Sequence, residues 1–299
     1  MQRTLPFSAP ALPRVPALEM GKAGDPGLFG PTSRIWTIGR ERALLLGGTP
    51  ALLLQIAHPL VAAGVADHSD FRQKPYERLV ATLDATLRIT FGDTPQAQAA
   101  AEGVAATHRR VKGTLGREAS GFRLGAAYDA ADPELALWVH ATLVETALQT
   151  YHRFVRPLSE AERERYFQEA KRFAALFGVG PDVMPPTYAS FRGYFDSMID
   201  GEVLQVTPVT RDLGWHVLNP PLPRPLRGAT RLTRLAAAAL LPPRLRAGYG
   251  LSWTGRDRAA YAAFTRTVRL ALPLTPAPLR FWPHYVTARR RAGRQAGDR

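Results

Sequence analysis

The sequence has no cysteine among its 299 residues. This absence excludes disulfide bonds, a thiol nucleophile, iron–sulfur clusters and every zinc site built from thiolates. A metal ion must therefore be held by histidine or carboxylate side chains, or it must enter the protein inside a cofactor.

Long apolar runs are also missing. No segment approaches the ~20 consecutive apolar residues that a transmembrane helix needs. Prolines interrupt the N-terminal sequence MQRTLPFSAPALPRVP before an apolar signal-peptide core can form. We therefore expect a soluble, cytoplasmic protein without a transmembrane segment, at most in peripheral contact with a membrane.

The motifs of several large enzyme classes do not occur. There is no GxSxG nucleophile elbow, no GxGxxG or GxxxxGKS/T phosphate loop and no HExxH zinc helix. No two of the seven histidines are spaced three or four residues apart on one helix, which excludes metal sites of that kind.

Acidic residues are scarce beside basic ones, at 25 against 39, so the formal net charge is +14. Such an excess is compatible with nucleic acid, an anionic membrane surface or anionic ligands as partners. The basic residues are dispersed, except in the tail, and no nucleic-acid-binding signature accompanies them. We interpret the charge as a general arginine-rich composition and expect no specific nucleic-acid partner.

Most of the sequence has the apolar periodicity of α-helices. Helix starts are indicated by Asp93, Asp132 and Ser159, each followed by favourable first-turn residues, and no strand-like alternation of any length occurs. We predict an all-α protein with one compact helical domain. Its parts are an extended Pro/Gly-rich arm over residues 1–32, the domain over 33–287 and a basic tail over 288–299.

Three local predictions can be checked against a structure. Thr49 is expected to cap a helix that begins at Pro50, and the run Ala51–Val65 is expected to form one buried central helix. Residues 120–131 are predicted to be a loop. The proline-rich stretch 219–228 is interpreted as a surface crossing.

Several histidines are candidates for a site. His58 and His68 could converge with Asp67 or Asp70 on a metal ion, although capping of helix ends explains them equally well. His140 is interpreted as a buried histidine, hydrogen-bonded within the helical core.

Three further candidate residues lie on predicted helices. Arg78 and Thr82 are spaced i, i+4 and point the same way beside the apolar stripe of Leu79 and Leu83, yet a surface arginine and a back-bonding threonine explain them too. His108 lies near the end of an alanine-rich helix that is predicted to end at Gly113, and by itself it is explained by the negative end of the helix dipole.

Four stretches together resemble a known family. LLLQIAHPLVAAGVADHSDF, YERLVATLDATLRITFGD, THRRVKG and YDAADPELALWVHATLVET occur in the order and spacing typical of the MpaB-like oxygenases and rubber oxygenases, among them the latex-clearing proteins and an oxygenase of mycophenolic acid biosynthesis. The resemblance covers residues 33–206 and extends more loosely to residue 272.

The resemblance implies a globin-like helical core around haem b. His108 corresponds to the proximal iron ligand, while Arg78 and Thr82 correspond to an arginine and a threonine on the other side of the haem, where they would orient O₂ or position a base. Neutral imidazole is a usual haem ligand, and arginines can pair with haem propionates.

The chain departs from the rubber-cleaving members at one position. Those members carry an RxxKT pattern, whose lysine can cap the iron, and this chain has Ala81 there. We therefore do not predict rubber cleavage. We expect a haem-dependent oxygenase that uses O₂ and an undetermined electron donor on a small apolar, isoprenoid or lipid-like, intracellular substrate. A non-catalytic haem-binding or gas-sensing protein and a haem-free helical protein remain the alternatives.

Overall fold

The computed structural model describes residues 15–69, 75–220 and 227–293, with the backbone alone at 75–78 and 227. Helices dominate this part of the chain, which confirms the all-α prediction. The α-helices are α1 Arg34–Gly39, α2 Gly48–Ile56, α3 Pro59–His68, α4 Pro75–Phe91, α5 Thr94–His108, α6 Pro133–Thr150, α7 Glu160–Ala175, α8 Tyr188–Asp200, α9 Pro208–Leu218, α10 Arg227–Leu240, α11 Pro243–Gly248, α12 Gly255–Ala271, α13 Ala277–Arg280 and α14 Pro283–Ala292.

The core is built around α6. Its buried side chains face α2 on one side and α7 on another. The Trp138 indole is 1% exposed and donates a hydrogen bond to the Leu54 carbonyl of α2 at 3.3 Å. Leu143 is 41% exposed, and the buried stripe of α6 runs through Leu137, Ala141, Val144 and Leu148.

The expected single helix over Ala51–Val65 is wrong. The chain forms two helices, α2 and α3, and breaks between them at Ala57 and His58. Pro59 causes the break, because it lacks an N–H and favours an extended backbone at the preceding residue. His58 accordingly has φ −80° and ψ 122°. The expected cap at Thr49 is wrong too, since α2 begins at Gly48 without a side-chain cap.

One strand of a small antiparallel sheet lies within the predicted loop over residues 120–131, and the other strand precedes the loop. Strand β1 is Lys112–Thr114 and strand β2 is Ala127–Asp129, with Gly113 opposite Tyr128. Three-residue strands are too short to show a period in the sequence. Tyr128 is 4% exposed, so the sheet places an aromatic side chain against α3.

Helices α4 and α5 form an antiparallel pair joined at Gly92 and Asp93. Asp93 caps α5 as predicted, by accepting a hydrogen bond from the Gln96 amide at 2.9 Å. The turn is held from the far end of the chain as well: the guanidinium of Arg291 is 0% exposed and donates to the carbonyls of Phe91 and Asp25, both at 2.8 Å. The N-terminal arm and α14 therefore both hold this turn.

In the described part of the chain no single helix is long and apolar enough to cross a membrane. Two segments, Arg42–Ile56 and Pro59–His68, reach that length and composition only as a pair, bent by 103°.

Candidate functional site

His108 is the last residue of α5, which ends five residues before the predicted end at Gly113. Its side chain is half-buried, and its imidazole ring lies against Phe177, with ring centroids 6.0 Å apart. Phe177 in turn contacts Phe173 at 5.5 Å. These two phenylalanines, at the end of α7 and just beyond it, are called the aromatic pair below. They give the imidazole of His108 an apolar neighbour.

His140 meets the other member of the aromatic pair. Its imidazole stacks on Phe173 with centroids 6.2 Å apart and 20° between the ring planes. The residue is 7% exposed, and burial lowers the pKa of its imidazole to about 4, so the ring is neutral at pH 7. Its Nε2 has no hydrogen-bond partner among the described residues, contrary to the expected hydrogen bond. The structure thus brings His108 and His140 to opposite ends of one aromatic pair.

Arg78 and Thr82 lie on the N-terminal half of α4. At about 1.5 Å per helical residue, Arg78 lies about 20 Å and Thr82 about 14 Å from the end of α4 at Phe91, and His108 lies about 21 Å from the start of α5 at Thr94. Because α4 and α5 are antiparallel and packed together, Arg78 and His108 lie at similar distances from the turn, whereas Thr82 lies near the middle of α4.

The surroundings of Arg78 and Thr82 on α4 differ from the expected ones. Thr82 is exposed, and its carbonyl accepts a hydrogen bond from the Thr86 hydroxyl at 2.8 Å. Leu79, expected to be part of a buried stripe, is 41% exposed, whereas Leu87 is 4% exposed. The buried part of α4 is therefore its C-terminal half. The side chain of Arg78 lies outside the described residues.

The interpretation of His58 and His68 as converging metal ligands is wrong. His58 precedes the ten-residue helix α3 and His68 is its last residue, so the helix holds the two side chains at opposite ends. His68 Nε2 lies 2.9 Å from the Lys112 carbonyl. Asp67 accepts a hydrogen bond from the Tyr128 hydroxyl at 2.7 Å. The described residues contain no group of three side chains placed to hold a metal ion, and Asp70 lies outside them.

A groove of about 590 Å³ was not predicted from the sequence. It lies between residues 117–123 and residues 205–208, segments too distant in the chain for a local motif to reveal. His58 lies close to it, since its ring is 5.8 Å from Phe122, a lining residue. Burial also lowers the pKa of His58 to about 4, and the charge of Asp132 opposes this shift. None of the predicted site residues lines the groove.

A comparison with known protein families gives a match that includes the helix pair α4–α5 and α6. Residues 35–270 match the family described as "ER-bound oxygenase mpaB/B'/Rubber oxygenase, catalytic domain". The chain belongs to this family. The match includes Arg78, Thr82, His108 and His140, and it confirms the resemblance drawn from the four sequence stretches. The enzyme class is therefore that of an oxygenase.

Two curated relatives are mycobacterial. Uncharacterized proteins of Mycobacterium bovis and Mycobacterium tuberculosis are each 28% identical to this chain over 231 residues, which is 75% of this chain and 87% of theirs. No solved structure matches the chain.

Proposed function

We propose that this oxygenase-family protein binds haem b through His108 and uses O₂ to oxygenate a small apolar substrate. The observation that carries the proposal is the place of His108: a half-buried imidazole at the end of α5, against Phe177. It stands at the position that the family resemblance assigns to the iron ligand.

The residues around His108 fit a haem group. The aromatic pair offers an apolar wall, and the exposed Leu79 of α4 offers apolar surface at the same end of the helix pair. Arg109 and Arg110 follow His108 directly and are exposed, so both can pair with propionate carboxylates. With no cysteine in the chain, imidazole is the strongest neutral donor available for the iron.

Haem, when bound, supplies an iron centre that binds and activates O₂. The chain supplies the surroundings. His108 would hold the iron from one side, and the aromatic pair would exclude water from that side. Thr82 would donate a hydrogen bond from its hydroxyl toward the reacting oxygen, and Arg78 would add positive charge there. His140, neutral and buried, stays an uncharged neighbour of the aromatic pair at physiological pH.

Absorption spectroscopy of the purified full chain, supplied with haem, tests the proposal. We expect a Soret band with one haem per chain, and its loss in His108→Ala with the helical circular dichroism retained. His216→Ala is the matched control, because His216 also stands in the last turn of a helix beside an aromatic ring, Trp215 at 5.0 Å. A Soret band that survives in His108→Ala and disappears in His140→Ala would transfer the ligand role to His140.

A further inference from the structure

Three strongly exposed leucines lie within ten residues of one another. Leu270, Leu274 and Leu279 are 64%, 84% and 66% exposed. The segment that holds them, residues 270–279, reads LALPLTPAPL and contains no charged side chain. We call this segment the leucine loop. Most large apolar side chains are buried on folding, so a cluster of exposed ones indicates an interaction surface.

The leucine loop has a fixed conformation. The Thr275 amide donates to the Leu272 carbonyl at 3.2 Å, and the Arg280 guanidinium donates to the same carbonyl at 3.3 Å. Arg280 also forms a two-point ion pair with Glu41, at 2.8 and 2.9 Å, and Glu41 is 0% exposed. The loop is therefore anchored to the body of the protein with its leucines directed away from the core.

The surrounding sequence has charge of one sign. Residues 258–293 contain seven arginines and no aspartate or glutamate. Three of these arginines have exposed side chains and no ion-pair partner among the described residues: Arg266, Arg289 and Arg290. This part of the chain is therefore a source of uncompensated positive charge next to the leucine loop.

We propose that the leucine loop docks the protein on an anionic lipid bilayer. The leucines enter the interfacial region, while the arginines bind the lipid headgroups, the combination by which peripheral proteins hold to membranes. Nucleic acid would use the arginines but leave the leucines in water. A second copy of this chain would bury the leucines but bring two positive surfaces together. The loop lies almost wholly beyond the family match, which ends at residue 270, and the proposal does not depend on haem.

Co-sedimentation of the full chain with vesicles tests the proposal. We expect binding to vesicles of phosphatidylcholine with phosphatidylglycerol, weak binding to phosphatidylcholine alone, and loss of binding in high salt. Leu279→Ser should weaken binding by about tenfold, as expected for one leucine removed from an apolar environment. Leu124→Ser is the matched control, since Leu124 is also 66% exposed but lies in a different loop.

Further variants separate the two contributions. The triple change Leu270→Ser, Leu274→Ser and Leu279→Ser should abolish binding with an unchanged melting temperature, and Arg289→Gln with Arg290→Gln should reduce the preference for anionic vesicles. Equal binding by Leu279→Ser and Leu124→Ser would overturn the proposal. So would retention of the chain by nucleic acid but not by vesicles, or a dimer in vesicle-free solution that the triple change dissolves.

Discussion

The imidazole of His108 and the ring of Phe177 lie 6.0 Å apart at an angle of 49°, across the gap between the end of α5 and the end of α7. Phe177 is therefore an aromatic neighbour that limits the rotation of the His108 imidazole.

We therefore expect Phe177→Ala to weaken haem binding without abolishing it. The imidazole keeps its place on α5 but loses the ring that orients it, so the dissociation constant measured by haem titration should rise about tenfold, equivalent to about 1.4 kcal/mol. Phe264→Ala is the control, because Phe264 is also a half-buried phenylalanine, packed against Phe154 in another cluster. An unchanged dissociation constant in Phe177→Ala would show that the ring contact does not orient the ligand.

Thr82→Val should alter reactivity with O₂ while leaving haem content and stability nearly unchanged. Thr82 is exposed, so loss of its hydroxyl should change the free energy of unfolding by less than about 0.5 kcal/mol. Loss of one hydrogen bond to the reacting oxygen should speed oxidation of the reduced haem protein by O₂ about tenfold, measured by stopped-flow absorption. Thr86→Val, one turn further along α4, is the control and should be oxidised at the rate of the unmodified protein.

Arg78→Ala should lower oxygenase turnover with haem retained.

Ala81→Lys should introduce a sixth ligand. The rubber-cleaving relatives carry lysine at the corresponding position, and α4 places Ala81 next to Thr82 with an exposed side chain. The ferric absorption spectrum of the variant should change to a six-coordinate, low-spin form. Ala81→Gln adds similar length without an amine and should leave the spectrum as it is; the same spectrum for both variants would show that residue 81 does not face the iron.

Burial of His140 makes stability depend on pH. Its pKa is about 4 in the folded protein and about 6.5 in the unfolded chain, so the unfolded chain takes up the proton first as the pH falls. The free energy of unfolding therefore decreases from pH 6.5 toward pH 4, by about 2 kcal/mol between pH 7 and pH 5 for this one residue. The free energy of unfolding, measured with urea at pH 7 and pH 5, should differ less between the two pH values in His140→Phe than in the unmodified protein. In the control His216→Phe this difference should be as large as in the unmodified protein.

Local signals in the sequence predicted the fold class well. The caps at Asp93, Asp132 and Ser159 depend on residues within one turn, and each makes the expected backbone hydrogen bond. The predicted end of α5 at Gly113, by contrast, lies five residues beyond the observed end at His108, and strand β1 occupies Lys112–Thr114. The apolar run continues through His58 and therefore does not predict the break there, although Pro59 is a signal for it.

Tertiary relationships could not be read from the sequence. His108 and His140 are separated by 31 intervening residues, and they meet the same aromatic pair only because α5, α6 and α7 converge. The exposed position of Leu79 likewise depends on which helices cover α4, which its own spacing does not reveal. The leucine loop was also missed, because an apolar segment without helical period resembles core sequence until its exposure is known.

Two arginines that lie beyond the family match hold distant parts of the fold together. The family match ends at residue 270, yet Arg280 neutralises the buried Glu41 and Arg291 satisfies the carbonyl at the end of α4. A chain cut after residue 270 would remove the two-point partner of the buried Glu41 and leave it only Arg40, 3.8 Å away. Loss of one partner of a buried ion pair costs several kcal/mol, on the order of 3–5. We expect such a fragment to lose its cooperative thermal transition. The segment that the family match covers, residues 35–270, is therefore shorter than the segment that we expect the fold to require.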